Sequence, residues 1–221
     1  MKITKYRMDQ LEEARITQKD CVKQHLPCPP LAWWKAEIAD NDGKVEEQIE
    51  SKCNSYTRNG LNLIAQQALY IPSQYRSNSD FADGLISYCN TDYGVYNMTN
   101  PLVLRNISHI EVGNSNLPES LNSINITAIS GLVGTTNTQS ASFDNSTRKW
   151  NSSIQRDFAN STLEDITITE AGLFVILTTT GSNTNITKPY LTVRDVFEVP
   201  IVLPAGKTLL FTYNFELLYP E

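Results

Sequence analysis

The sequence predicts a mainly β chain: an antiparallel, jelly-roll-like β-sandwich carrying one short helix and preceded by an extended N-terminal arm. Three observations predict it. Near the C-terminus, Leu209, Phe211, Tyr213, Phe215, Leu217 and Tyr219 alternate with Leu210, Thr212, Asn214, Glu216 and Leu218, a period of two that belongs to a strand. Only 19% of the 221 residues are charged and 40% hydrophobic, and Asn, Ser and Thr fill the gap, as in a β-rich surface protein. Short β-prone runs recur between polar turns, at 102–113, 123–134, 165–179, 189–203 and 207–220.

In chain order, residues 1–31 read as an arm suited to docking on a partner. Met8, Leu11 and Ile16 fit a short helix, and Pro27, Pro29 and Pro30 stop any regular element behind it. Residues 32–221 read as the β-sandwich domain. It opens with a hairpin: Trp34, Ala36 and Ile38 alternate with Trp33, Lys35 and Glu37, and DNDG at 40–43 supplies Asp, Asn and Gly for the turn. Val45 starts the return strand, whose Glu46, Glu47 and Glu50 suggest a solvated face. A helix is expected over 54–68. Ser55 is its cap, Leu61, Ile64, Ala65, Ala68 and Leu69 form its stripe, and Pro72 lies beyond its end. Residues 73–162 then read as a polar, loop-rich region, with 24 of the 50 residues from Gly113 to Thr162 being Asn, Ser or Thr.

Charge and chemistry exclude more than they suggest. A net charge of −6 and a pI near 5.0 argue against nucleic acid as a partner. The N-terminus lacks the apolar core of a signal peptide, and no run of 18 apolar residues exists, so no membrane partner is expected. Cys21, Cys28, Cys53 and Cys89 follow no disulfide framework and read as reduced thiols. Grouped as Cys21, His25, Cys28 and Cys53, they miss the common zinc spacings, and Pro27 interrupts them. No metal and no cofactor is expected.

Gly206-Lys207-Thr208 imitates the end of a phosphate-binding loop. The first glycine of that motif would fall at 201, where Ile201 stands, and Pro204 lies within the would-be loop. LPAGKT therefore reads as a tight turn into the final strand, with Gly supplying a positive φ. His25 and His109 are the only histidines, and His109 reads as a sheet-face residue. There is no nucleophile elbow, and carboxylate pairs such as Asp165 and Glu170 are too common among 24 acidic residues to mark a site. The chain is read as non-enzymatic. Trp33, Trp34, Tyr88, Tyr93, Tyr96 and Trp150 offer faces for sugar stacking, against the alternative that they fill the core or line interfaces. Seven N-x-[ST] sequons, at Asn97, Asn106, Asn125, Asn145, Asn151, Asn160 and Asn185, follow from the abundance of these residues.

Two blocks carry a resemblance. CNSYTRNGLNLIAQQAL, just after the DNDGKV hairpin, resembles the front part of a type of virion structural protein of tailed bacteriophages. ITITEAGLF and YLTVRDVFEVPIVLPAGKTLLFTYNFEL look like the closing part of the same type: a TE-x-GLF strand, an R-x-x-F strand, a Pro/Ala/Gly turn and a last alternating strand. Together they cover about half of the chain. The resemblance implies a component of the virion, in head decoration, neck or tail, assembled in the host bacterial cytoplasm as a symmetric homo-oligomer in contact with other virion proteins. The expected interface anchors are Trp33 and Trp34, with Met8 and Leu11 from the arm. A carbohydrate-binding, receptor-facing module that meets a host-surface glycan is the alternative.

Overall fold

The computed structural model of the chain describes residues 2–5, 8–24, 31–53, 77–80, 85–88, 108–115, 117–118, 125–135, 137–180 and 185–218. Twelve strands and one helix occur among them. In order they are β1 (Lys2–Lys5), α1 (Met8–Lys23), β2 (Leu31–Ala39), β3 (Val45–Cys53), β4 (Ser77–Asp80), β5 (Leu85–Tyr88), β6 (Ser108–Gly113), β7 (Leu132–Gly134), β8 (Thr138–Asp144), β9 (Lys149–Asn160), β10 (Ile166–Thr180), β11 (Asn185–Leu203) and β12 (Thr208–Leu218). The protein is thus mainly β and built from antiparallel sheets, the class that the alternation and the polar turns predict for a β-sandwich chain. The helix expected at 54–68 lies outside the described residues.

The chain divides into two compact units. The first comprises Met1–Asn54, Ile129–Ile168 and Ile201–Glu221, and the second Ser55–Ala128 and Thr169–Pro200. The first unit holds a seven-stranded sheet in the order β1-β3-β2-β12-β9-β7, with β8 also paired to β9. Register places Trp34 opposite Tyr213, Ala36 opposite Phe211 and Ile38 opposite Leu209. On the other side of β12, Ile154 lies opposite Tyr213 and Phe158 opposite Leu209. The period of two puts all of these side chains on one face, and all are buried. Trp34 stacks on Phe211 at 5.4 Å, and Phe211 meets Tyr213 edge-on at 5.3 Å.

The β2–β3 hairpin closes as the DNDG turn predicts. Gly43 takes φ +79°, and the Asp40 carboxylate accepts hydrogen bonds from the backbone N–H of Asp42 and Lys44 at 3.0 and 2.9 Å. The segment read as an arm is integrated with the sheet. β1 pairs in parallel with β3, and α1 packs on β3, β2 and β12. The opposite sheet face, which carries Trp33 and Glu216, receives the helix. The Arg15 guanidinium lies 5.4 Å over the Trp33 ring and 3.9 Å from the Glu216 carboxylate, and Gln18 is fully buried.

Strands β7, β8 and β9 correct the reading of 73–162 as loop-rich. β9 is a twelve-residue strand within the sheet, bonded to β12 along one side and to β7 and β8 along the other. Its apolar residues, Trp150, Ile154 and Phe158, recur every fourth position with Ser152 and Arg156 between them, so strict alternation is masked.

The second unit contains β6 and most of β10 and β11, in a sheet ordered β11-β10-β6, with β4 and β5 paired separately. Gly113 faces Glu170 across β6 and β10, and Ile110 faces Leu173. Ile110, Val112, Ala171, Leu173, Phe174, Leu191, Val193 and Phe197 are buried apolar residues of this unit.

Candidate functional site

Three side-chain constellations stand out, and each begins from a residue type that the fold forces into an unusual place. The first lies in the second unit. Glu170, in the middle of TEAGLF, is fully buried on β10. A lone buried carboxylate is very unfavourable, so it must be paired and hydrogen-bonded. Its Oε2 accepts from Arg194 Nε at 2.8 Å, and its Oε1 accepts from the N–H of Thr127 at 2.8 Å and of Ser115 at 3.3 Å. The remaining guanidinium nitrogens of Arg194 donate to the carbonyls of Pro118 and Leu117, at 2.9 and 3.0 Å. The Thr169 hydroxyl adds a bond to Ser115 O at 2.8 Å. One ion pair thus ties β10 and β11 to Ser115, Leu117, Pro118 and Thr127. Gly113 belongs to the same arrangement, because a Cβ there would come within 2.5 Å of Glu170 Oε1 and 2.6 Å of Thr127 O.

The second constellation surrounds the LPAGKT turn in the first unit. Lys207 N–H donates to Pro204 O at 3.1 Å, and Gly206 takes φ +71°. A positive φ at the third residue is the signature of a type II turn. β11 and β12 are not hydrogen-bonded neighbours, so the turn is a corner between sheets rather than a hairpin tip. Asn160 organises it. The buried amide donates to Glu164 O at 2.8 Å and Leu203 O at 3.0 Å, and its oxygen accepts from the Thr162 N–H and hydroxyl. The Asn160 N–H donates to Lys207 O, and Asn160 O accepts from Gly206. Asp165 accepts from Ala205 N–H at 3.2 Å. Lys207, the would-be phosphate ligand, pairs with Glu46 at 2.9 Å. The Asn160 sequon is also accounted for: its amide is committed to the corner and is only 3% exposed as a residue.

The third is the β8–β9 ribbon. Its turn is closed by Asp144, whose carboxylate accepts from the Ser146 hydroxyl at 2.7 Å, the Thr147 hydroxyl at 2.8 Å and the Ser146 N–H at 2.8 Å. These bonds, the Ser146 hydroxyl first, lower its pKa from 3.8 to about 2. Phe143 lies directly opposite Trp150 and is 49% exposed, beside a ladder in which the Ser140 and Ser153 hydroxyls meet at 2.7 Å. At the turn end of the ribbon, Lys149, opposite Asp144, pairs with the buried Glu216 at 2.5 Å.

The expected anchors separate. Trp34 is 4% exposed and stacked in the core, so it is a packing residue and offers no face to a partner or a sugar. Trp33 is half-buried beneath Arg15. Met8 and Leu11 are helical in α1, but their side chains lie outside the described residues, as do those of Tyr88, Tyr93 and Tyr96. His109 is a sheet-face residue, stacked on Phe174 at 5.1 Å and 3.5 Å from Glu111. Asp165 and Glu170, the sample carboxylate pair, are both engaged in structural bonds. Among the described residues, no group of three or more His, Cys, Asp or Glu is placed to hold a metal ion, and no helix is long and apolar enough to cross a membrane.

No family model, curated protein or solved structure matches this chain.

Proposed function

We propose that the protein is a non-enzymatic structural component of a tailed-phage virion, present in many copies on the particle as head decoration, neck or tail protein. One observation carries the reading. Residues of the closing block of the resemblance do structural work: Glu170 of TE-x-GLF and Arg194 of R-x-x-F form the buried ion pair, and Pro204, Ala205 and Gly206 form the turn into β12. The pattern is thus a set of architectural requirements, which suits a protein whose work is to hold shape and bury area against neighbours. The partners in this reading are further copies of the chain and other virion proteins, without nucleic acid, membrane or cofactor. Cryo-electron microscopy of intact particles tests it. Density that fits this chain in a symmetric ring or lattice is the expected result, and particles free of the chain would overturn the proposal.

A second reading, a glycan-binding, receptor-facing module, is favoured by the exposed Phe143 opposite the half-buried Trp150 on a ribbon rich in hydroxyl and amide groups. It predicts binding on a glycan array that Phe143→Ala abolishes.

A further inference from the structure

We propose that α1 is a strap over the sheet, latched by the ion pair between Glu216 and Lys149, and that it lifts when Lys149 is drawn away. The inference goes beyond the virion reading and does not depend on it.

Glu216 lies on the sheet face that receives α1. Its side chain is 4% exposed, and two cations from different elements meet it. Lys149 comes from the start of β9, at 2.5 Å, and Arg15 from α1, at 3.9 Å. Both reach the same oxygen, Oε2, which accepts no well-angled hydrogen bond and is held by charge. Glu170, the other buried carboxylate in an ion pair, is fixed differently, by hydrogen bonds from Arg194 and from two backbone N–H groups. A carboxylate bonded on several sides stays in place, whereas one that relies on a single close cation is only as secure as that cation.

α1 is tied to this carboxylate. The helix runs between two tethers, β1 paired with β3 before it and β2 after it, and packs on β3, β2 and β12. On it, Gln18 is fully buried, and Arg15 reaches both the Trp33 ring, at 5.4 Å, and Glu216. With α1 seated, Glu216 is out of water, and Arg15 at 3.9 Å is too far to compensate that charge without Lys149.

Lys149 is the member that can move. It is 31% exposed and stands at the turn end of the β8–β9 ribbon. Asp144 lies directly opposite, but its carboxylate is occupied by Ser146 and Thr147. Lys149 is thereby left to Glu216, and an anion arriving at the turn end competes for it. Once Lys149 turns outward, Glu216 regains a partner by admitting water, which requires α1 to lift. A contact at the ribbon is in this way transmitted to the N-terminal helix through one shared oxygen.

The test is hydrogen exchange on the full chain, in which Lys149→Met mimics the loss. The α1 amides are expected to exchange at least about tenfold faster than in wild type, while those of β12 change less. Adding Glu216→Gln is expected to restore α1, because a neutral amide needs no counter-ion. Unchanged exchange in α1, equal acceleration in α1 and β12, or no restoration by Glu216→Gln overturns the latch. If Lys149→Met fails to fold, Lys149→Met/Glu216→Gln is compared with Glu216→Gln alone. Equal exchange of α1 in these two supports the latch; faster exchange or loss of folding in the double variant overturns it. The outcome leaves the virion reading to particle imaging, so the two proposals fail separately.

Discussion

Removing the Arg194 side chain strands a carboxylate. In Arg194→Met, Glu170 stays on β10 with a side chain that is 0% exposed and loses the guanidinium 2.8 Å away, while the Pro118 and Leu117 carbonyls lose their donors. Two backbone N–H bonds remain to the carboxylate, from Thr127 and Ser115. Breaking a buried pair from one side costs about 3–5 kcal/mol, mostly through the uncompensated charge. Glu170→Gln keeps the acceptor for the two amides but turns an NH₂ toward the guanidinium, a donor facing a donor, and should cost about 3 kcal/mol. If the pair acts as a unit, the double variant should cost less than the sum of the two by about 1–3 kcal/mol. Urea unfolding followed by circular dichroism gives the energies. Hydrogen exchange at the Thr127 and Ser115 amides gives a local reading, with protection falling in step. Singles that each cost below about 1 kcal/mol, or costs that simply add, would refute the view that this pair is what holds Ser115, Leu117, Pro118 and Thr127 to the sheet.

Other consequences are as direct. Gly113→Ala should destabilise by about 1–3 kcal/mol through collision with Glu170 and Thr127, whereas Gly206→Ala, with open space around it, should lose about 1–2 kcal/mol from its positive φ alone. Thermal melts separate the two if a Gly206→Asn variant recovers part of the loss. Trp34→Ala should cost about 3–5 kcal/mol of stability as a core truncation, and Trp33→Ala clearly less, because only the half-buried ring beneath Arg15 is lost; equal losses in urea unfolding would contradict the assignment of faces. The carboxyl carbon of Asp144 should titrate in NMR near pH 2. Its folded-state pKa is depressed, so its contribution to stability is complete above the unfolded value of 3.8 and is lost as pH falls through about 2; a midpoint near 3.8 would show that the Ser146 and Thr147 bonds do not hold in solution. Lys207→Ala should cost less than about 1 kcal/mol, since its ion pair with Glu46 is partly solvated, and isothermal titration with ATP should show no Lys207-dependent heat.

Much of the architecture was legible wherever one physical cause acts locally. The β2–β3 hairpin follows from alternation plus a turn whose Asp and Gly bond and bend as those residues do, and the corner at Gly206 follows from its φ. What was not legible depends on partners distant in sequence. β9 conceals its period because Ser152 and Arg156 occupy positions on the apolar face, and only the register with β12 makes it a central strand. Glu170 and Arg194 each looked like an ordinary charged residue in a strand. Their pairing, 24 positions apart, appears only when β10 and β11 lie side by side. Asn160 read as one more sequon arising from the abundance of Asn, Ser and Thr, because the sequence does not show that its amide is enclosed beside the LPAGKT turn. α1 was expected as a short helix in a free arm, and its attachment through Arg15 to Glu216, 201 positions away, has no local signal.

The division of the chain has a practical result for anyone who would take the molecule apart. Two of the four boundaries between the units fall inside strands β10 and β11, at Ile168/Thr169 and Pro200/Ile201. Neither unit is a continuous stretch of sequence, so no truncation from either end can release one intact, and a protease that severs either strand damages both at once. The fragments that survive digestion should therefore be nicked whole chains, still associated, rather than two separable halves.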